Sequence, residues 1–170
     1  DLRHAELDLD PAALARGIHS YGIARETWAE IKEEAVHHRA QQSWKTHDLQ
    51  EFGVDSFLSF QVLDHESLAC GLTSVVGKKL ASSGGDGVDY GKVILSAFQN
   101  DPEIVSAVAT DSQRFRIVDP ATTSLLGVYL CYKGVQALAC ARVAHRYYTA
   151  RGDAGKLIAS VLQSQTSDVF

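Results

Sequence analysis

The three prolines of the chain constrain its fold most strongly, because an aspartate precedes each of them, at 10–11, 101–102 and 119–120. Proline fits the first turn of a helix but breaks its interior, and aspartate is favoured as the residue that caps a helix start. Each Asp-Pro pair therefore predicts the beginning of a helix. Alternation of apolar and polar residues is almost absent, and residues 114–118 form the one candidate strand. The sequence predicts an all-α domain of about seven helices without a sheet.

The amphipathic stretch at 25–45 shows the helical pattern clearly. Its apolar face carries Trp28, Ile31, Ala35 and Val36, and its polar face carries Glu30, Lys32, Glu33 and Glu34. Before it, a short helix is expected to begin at Asp10-Pro11 and to end at Gly17 or Gly22. We therefore divide the chain into an N-terminal extension with a short helix, residues 1–24, and a helical domain, residues 25–170.

Further helices are expected along the rest of the chain, with a flexible loop at 82–87. A long apolar helix, or a pair of helices, should run from Asp119-Pro120 to Tyr148, stop at Gly152 and be followed by a last helix to about Ser167. The remaining expected helices span residues 55–64, 66–82, 89–99 and 102–117.

The stretch from Asp119 to His145 is very apolar, yet it does not read as a membrane span. Lys133, Gln136 and Arg142 interrupt it, and a charged side chain in the middle of a bilayer costs about 2.5–3.5 kcal/mol even on the gentlest scale. A buried helix is the better interpretation, and no membrane association is expected.

Composition excludes some function classes. The formal charge is −5 and the basic residues are scattered, which argues against a nucleic-acid surface. Cys70, Cys131 and Cys140 show no disulfide or metal spacing and read as small buried residues. An odd cysteine count fits a reducing compartment, so a cytoplasmic location is expected. The sequence contains no methionine, so we expect these 170 residues to be a piece of a longer protein.

Motifs for catalysis or metal binding are lacking in the sequence. His37 and His38 are adjacent, so on a helix they point about 100° apart and cannot share an ion, and no metal site is predicted. No nucleophile motif and no phosphate loop occur. Arg142 and His145 read as a polar helix edge. Asp119 is the residue of interest: it is expected to cap the following helix, and its carboxylate could also bind an ammonium group.

Five segments, taken in order, resemble the N-terminal helical domain of the serine O-acetyltransferase family. They are "ETWAEIKEEA" (26–35), "LDHESLACGLTSVVGKKLAS" (63–82), "NDPEIVSAVATDSQRFRIVDPAT" (100–122), "LLGVYLCYKGVQALACARVAHRYYTARG" (125–152) and "LIASVLQSQTSDVF" (157–170). The order and spacing of the segments carry the resemblance. Residues 41–56 are longer than the usual bacterial connection, and "TTSLLGVYL" lacks the family's Ser-Thr-Pro.

The resemblance implies an enzyme that transfers acetyl from acetyl-CoA to L-serine for cysteine biosynthesis. The family's catalytic His and its acetyl-CoA groove belong to a left-handed β-helix of hexapeptide repeats, which this chain lacks. The chain should therefore hold no catalytic residue and no cofactor, and should be inactive alone. Asp119 matches the family residue that meets the amino group of serine, or of the inhibitor cysteine. The alternative is a stand-alone helical oligomerisation or adaptor module.

The resemblance also implies partners. The family's site lies between subunits, and its helical domain joins two trimers into a hexamer, so a homo-oligomer is expected. Apolar faces around Trp28, Phe57, Phe60 and Val62 are candidate contact surfaces, with burial in the domain's own core as the alternative. An O-acetylserine sulfhydrylase is a possible partner, through a C-terminal tail that this chain does not contain.

Overall fold

The computed structural model describes residues 11–41, 53–82, 86–150 and 152–170, and for residues 11–21 and 41 it describes the backbone alone. These ranges form eight α-helices and no strand, which confirms the all-α prediction, and residues 114–118 are the end of a helix. A π-helical turn (Ser59–Leu63) directly follows the helix Val54–Leu58. The helices are α1 (Pro11–Gln41), α2 (Val54–Leu58), α3 (Leu68–Ala81), α4 (Tyr90–Asn100), α5 (Glu103–Val118), α6 (Leu125–Cys131), α7 (Lys133–Ala150) and α8 (Gly152–Val169).

Helix α1 is continuous, whereas the sequence predicted a short helix and then a second one. Pro11 is its first residue, and the expected cap Asp10 lies outside the described residues. The predicted stop at Gly17 or Gly22 is wrong: the helix runs through both. A glycine inside a helix costs only about 1 kcal/mol relative to alanine, so by itself it does not end one. The division of the chain after residue 24 stays a prediction.

The core forms where the apolar stripes of the helices meet. Helix α1 packs against α5 and α6, α3 packs against α4, and α7 runs along α8. Trp28, Ile31 and Ala35 of α1 are buried, as predicted, but Val36 is 54% exposed because it lies off that stripe. Helices α3 and α4 lie close together at Gly77, where an added Cβ would lie 3.1 Å from the Cα of Gly91.

Two of the four aromatic and apolar residues named as candidate contact surfaces belong to the core. Trp28 and Val62 are buried, while Phe57 and Phe60 are about half exposed. The ammonium group of Lys78 lies 3.5 Å from the centroid of the Phe60 ring. Phe57 and Phe60 therefore remain available as surface, and the other two do not.

The apolar stretch after Asp119 is a helix pair. Helix α6 ends at Cys131 and α7 begins at Lys133, with Tyr132 between them. The side chain of Gln136 is fully buried at this break. Its amide donates to the carbonyl oxygens of Tyr129 (2.8 Å) and Leu130 (3.2 Å), and its Oε1 accepts from Lys79 Nζ (2.6 Å). Gln136 thus satisfies carbonyl groups that the end of α6 leaves without helical partners.

The polar residues in this stretch now have structural partners. The Arg142 guanidinium lies 2.6 Å from the Asp111 carboxylate of α5, and Lys133 Nζ donates to the carbonyl oxygen of Val169 (3.5 Å). Gly152 has a φ of 56°, a left-handed conformation that glycine adopts without strain, and it is the first residue of α8, so the junction between α7 and α8 lies next to the predicted position. Within the described ranges, none of the helices combines the length and the apolar character needed to cross a bilayer.

All three cysteines lie in the described residues, and each is a free thiol. Cys140 is buried, as expected, and burial raises the pKa of its thiol to about 11. Cys131 is exposed, so the prediction that it is a buried residue is wrong. It is the last residue of α6, whose buried residues lie between Leu125 and Tyr129.

Candidate functional site

Asp119 lies directly after the last residue of α5, in an extended conformation with φ −95° and ψ 109°. Its Oδ1 accepts a hydrogen bond from the backbone N–H of Ala121 (2.9 Å), and its carbonyl oxygen accepts from the N–H of Thr122 (3.0 Å). These two bonds close a turn around Pro120. The side chain is half-buried, and its Oδ2 has no protein partner within the described part of the chain. The carboxylate therefore has one oxygen fixed and one open to a ligand.

The predicted role of Asp119 as a helix N-cap is wrong. Helix α6 begins only at Leu125, and Ser124 caps it, since the Ser124 Oγ accepts from the N–H of Gly127 (2.9 Å). The carboxylate of Asp119 does accept a backbone N–H, but it does so two residues further on, within a turn. The carbonyl of Asp119 takes the N–H of Thr122, which closes this turn before a helix can start. We call residues 119–124 the Asp119 loop.

Helix α1 fixes α5 just before the Asp119 loop. The Arg116 guanidinium pairs with Glu30, and the amide of Gln113 donates to Glu30 Oε2 and to Thr27 Oγ1, each at 3.2 Å. Thr27 is fully buried. Burial raises the pKa of the Glu30 carboxyl, but the hydrogen bonds from Arg116 and Gln113 and the charge of Arg116 outweigh it, so the pKa lies below its ordinary value. Glu30 is thus held as an anion in this cluster.

Helix α1 also fixes α6 just after the loop. The Glu34 carboxylate accepts from the backbone N–H groups of Leu125 (3.2 Å) and Leu126 (2.7 Å). An anion at a helix N-terminus satisfies free donors and complements the helix dipole. Glu30 and Glu34 are four residues apart and share one face of α1. One face of α1 therefore holds the helices on both sides of the Asp119 loop.

The sequence placed Glu30 and Glu34 on a polar face and missed this role. A signal was present: Thr27, Glu30 and Glu34 follow helical spacing directly beside the buried stripe of Trp28 and Ile31. Residues at the edge of a buried stripe meet the neighbouring helices, so their polar groups can bond across the interface. Which partner they meet depends on how the helices pack.

The Glu30 cluster gives a prediction about pH. A carboxyl with a lowered pKa stabilises the fold above its unfolded pKa, and this stabilisation is lost as the pH falls through the folded value. Glu30 is more than one-third exposed, so Glu30→Gln should lower the free energy of unfolding by less than about 1 kcal/mol at pH 7. The difference in the free energy of unfolding between Glu30→Gln and wild type should vanish as the pH drops below 4.5, the ordinary pKa of a glutamate carboxyl. Urea unfolding at pH 3 to 7 measures it.

Glu33→Gln is the matched control for this prediction, because Glu33 is an exposed carboxylate of the same helix. The free energy of unfolding of this variant should equal that of wild type throughout the measured pH range. A difference between wild type and Glu30→Gln that stays constant from pH 7 to pH 3 would contradict the role of the Glu30 charge.

A cleft of about 410 Å³ lies between α1, α3, α4 and α5 and does not include the Asp119 loop. Trp28, Phe98 and Val105 give it an apolar wall, and Arg25 and Glu66 also line it. Its two serines, Ser67 and Ser106, have no histidine beside them in the lining. The residues that line the cleft therefore include no serine–histidine pair.

The polar edge predicted at Arg142 and His145 lines an open groove on α5 and α7. Arg142 pairs with Asp111, and the Arg146 guanidinium lies 3.8 Å from the Asp101 carboxylate, so both arginines have partners. His145 is exposed. Among the residues that the structure describes, no group of three or more His, Cys, Asp or Glu side chains is placed to hold a metal ion.

Comparison with known proteins agrees with this architecture. The family model described as "Serine acetyltransferase, N-terminal" matches residues 27–140. Serine acetyltransferase 5 of Arabidopsis thaliana is 34% identical over 115 residues, which are 68% of this chain and 36% of that protein. The structure of soybean serine acetyltransferase complexed with serine matches with a TM-score of 0.72 and 31% identity, over 86% of this chain and 56% of that one.

Two further serine acetyltransferase structures, one in complex with cysteine and one with CoA, match with a TM-score of 0.72 and 26% identity. Each match includes 85% of this chain. It includes 52% of the chain in the cysteine complex and 56% of the chain in the CoA complex. The chain thus spans about half of these structures and about a third of the plant relative's sequence.

Fold and loop together define an all-helical domain that presents one carboxylate at the joint between two helices. The family model that matches residues 27–140 describes the N-terminal part of serine acetyltransferases. The chain belongs to the serine acetyltransferase family.

Proposed function

We propose that the chain is the N-terminal helical domain of a serine O-acetyltransferase. In that reaction the hydroxyl of L-serine attacks the thioester carbonyl of acetyl-CoA, a histidine takes the hydroxyl proton, and CoA leaves as its thiol. The histidine and the acetyl-CoA groove belong to a β-helix domain outside these 170 residues. This chain supplies one substrate-binding residue, Asp119, and surface for oligomerisation.

The open carboxylate of Asp119 is the observation that carries the proposal. One of its oxygens is fixed by the Ala121 N–H, so the group has a defined direction, and the other oxygen is free to accept. A carboxylate and an ammonium group form a charge-assisted pair, which is about twice as strong as a neutral hydrogen bond. The amino group of serine, or of cysteine as a competing inhibitor, fits such a partner.

The surface beside Asp119 supports a site at a subunit boundary. Ile117 and Val118, the two residues before it, are 79% and 62% exposed. Large apolar side chains in adjacent exposed positions favour a partner surface that covers them. Phe57 and Phe60 offer a second exposed apolar area. We propose a homo-oligomer, a trimer or a hexamer, in which a neighbouring domain completes the site.

The remaining parts of the proposal follow from the family. Acetyl-CoA is the co-substrate of the whole enzyme, and an O-acetylserine sulfhydrylase is a possible partner through a C-terminal tail outside this chain. Three free thiols are typical of a reducing compartment and support a cytoplasmic location.

An acetyl-transfer assay tests the function directly. The full-length protein should release CoA from acetyl-CoA when serine is added, and the reaction without serine is the control. The 170-residue chain alone should be silent, because it supplies neither the base nor the thioester site. Activity of the chain alone, or an inactive full-length protein, would overturn the proposal. The second result would favour an adaptor module.

A further inference from the structure

We propose that Tyr132 is a positioning residue for Asp119, acting through Thr122. Its hydroxyl holds the Asp119 loop in the shape in which the open carboxylate oxygen receives the substrate's ammonium group. This inference rests on the proposed function and adds to it a residue that does not touch the substrate. Tyr132 lies outside the loop, between α6 and α7.

Thr122 joins the Asp119 turn to Tyr132. Its backbone N–H donates to the carbonyl oxygen of Asp119 (3.0 Å), and its hydroxyl donates to the hydroxyl of Tyr132 (2.7 Å). Within the described residues, the Asp119 carboxylate accepts its hydrogen bond from the backbone N–H of Ala121, which belongs to the same turn. The Thr122–Tyr132 bond therefore ties this turn to a residue ten positions further along the chain.

Tyr132 is itself held firmly. Its ring meets the Phe115 ring edge to face, with centroids 5.7 Å apart and an angle of 76°. Its backbone N–H donates to Val128 (3.2 Å), and its carbonyl oxygen accepts from the N–H of Val135 (3.2 Å). The residue thus closes the end of α6 and opens the start of α7. A group fixed in this way can hold a loop, because the loop and not the tyrosine moves when the bond is lost.

The hydroxyl and the ring of Tyr132 have separable roles. The ring packs on Phe115, and a phenylalanine would keep that contact. The hydroxyl has Thr122 as its hydrogen-bond partner within the described residues. Tyr132→Phe therefore removes the link to the loop while keeping the packing, and Thr122→Val removes the same link from the other side with nearly unchanged shape.

The test uses the full-length enzyme and steady-state kinetics. Tyr132→Phe and Thr122→Val should each raise the KM for serine about two- to tenfold, the affinity equivalent of one lost hydrogen bond. The KM for acetyl-CoA should not change. The double variant should be no worse than either single variant, because both remove one bond. In an Asp119→Asn background, Tyr132→Phe should have no further effect on serine.

Tyr147→Phe is the matched control. The Tyr147 hydroxyl donates to the carbonyl oxygen of Val93 (2.9 Å), away from the loop. This variant also loses a tyrosine hydrogen bond, so it should lower the melting temperature and leave the KM for serine unchanged. If Tyr147→Phe raised the KM for serine equally, the effect would come from a general loss of rigidity in the domain, and the inference would be overturned.

The failure of this inference can be told apart from failure of the proposed function. If Asp119→Asn raises the KM for serine but Tyr132→Phe and Thr122→Val do not, the positioning role is wrong and the function stands. If the full-length protein neither acetylates nor binds serine, both proposals fail. Should Tyr132→Phe fold poorly, Thr122→Val alone decides, because that side chain is only partly buried.

Discussion

Replacing Asp119 by asparagine in the full-length enzyme is expected to raise the KM for serine about 10- to 100-fold, the effect of losing a hydrogen bond to a charged group. The asparagine carbonyl can still accept the N–H of Ala121, so the turn is kept and only the charge is lost. The KM for acetyl-CoA should stay near wild type, because the proposed function places the thioester in a different domain. Inhibition by cysteine should weaken in parallel with serine binding, since the same ammonium group is recognised.

Asp111→Asn provides the control, because it removes a carboxylate from α5, the helix that ends just before Asp119. Asp111 pairs with Arg142 at 2.6 Å, so its loss should lower the melting temperature without affecting serine. If Asp119→Asn instead left the KM for serine at the wild-type value and only lowered the melting temperature, Asp119 would be a turn residue and nothing more. Steady-state kinetics and thermal unfolding of the same preparations separate the two outcomes.

Replacing Gly71 by alanine is expected to lower the free energy of unfolding by about 1–3 kcal/mol, the usual cost of an overpacked core. A Cβ at this position would lie 2.6 Å from the Tyr129 hydroxyl oxygen and 2.7 Å from Cη2 of Trp28. Both rings are buried and packed edge to face at 5.5 Å. Tyr129 cannot yield freely, because its hydroxyl donates to the carbonyl oxygen of Gln61 (2.9 Å).

Gly22→Ala is the matched control, because nothing lies within 4 Å of a Cβ added there. In the middle of α1 it should stabilise the fold by about 0.5–1 kcal/mol through helix propensity. Urea unfolding of the 170-residue chain measures both variants. If Gly71→Ala stabilised the chain as Gly22→Ala is expected to, Gly71 would not be packed against the rings of Tyr129 and Trp28 as described.

Most helix positions could be predicted from the sequence, because their signals are local. Asp89 caps α4 by accepting from the N–H of Lys92 (3.0 Å), and the predicted helix at 89–99 differs from the observed one by one residue at each end. The last two helices meet next to Gly152, close to the expected position. The errors at Gly22 and Val36 have a common cause. In sequence, a glycine that a helix tolerates looks the same as a glycine that ends it, and an exposed apolar residue looks the same as a buried one.

The candidate site could be predicted only in part. The resemblance indicated Asp119, and its place as substrate ligand stays a prediction. Its surroundings could not be found, since Glu34 reaches a backbone 92 residues away, at Leu126. The prediction that Asp119 caps a helix was wrong. Aspartate prefers to accept from free backbone N–H groups, but the sequence does not show whether a helix or a turn provides them.

The sequence by itself determined that the described elements are helices, and it located most of their ends, because capping and apolar spacing act within four or five residues. Only the tertiary structure decided that Glu30 and Glu34 hold the helices on either side of Asp119. It also decided that Gln136 hydrogen-bonds the carbonyl groups at the end of α6, and that Asp119 follows the end of one helix instead of starting the next. These outcomes depend on which helix faces meet, and that is set by the packing of side chains from distant parts of the chain.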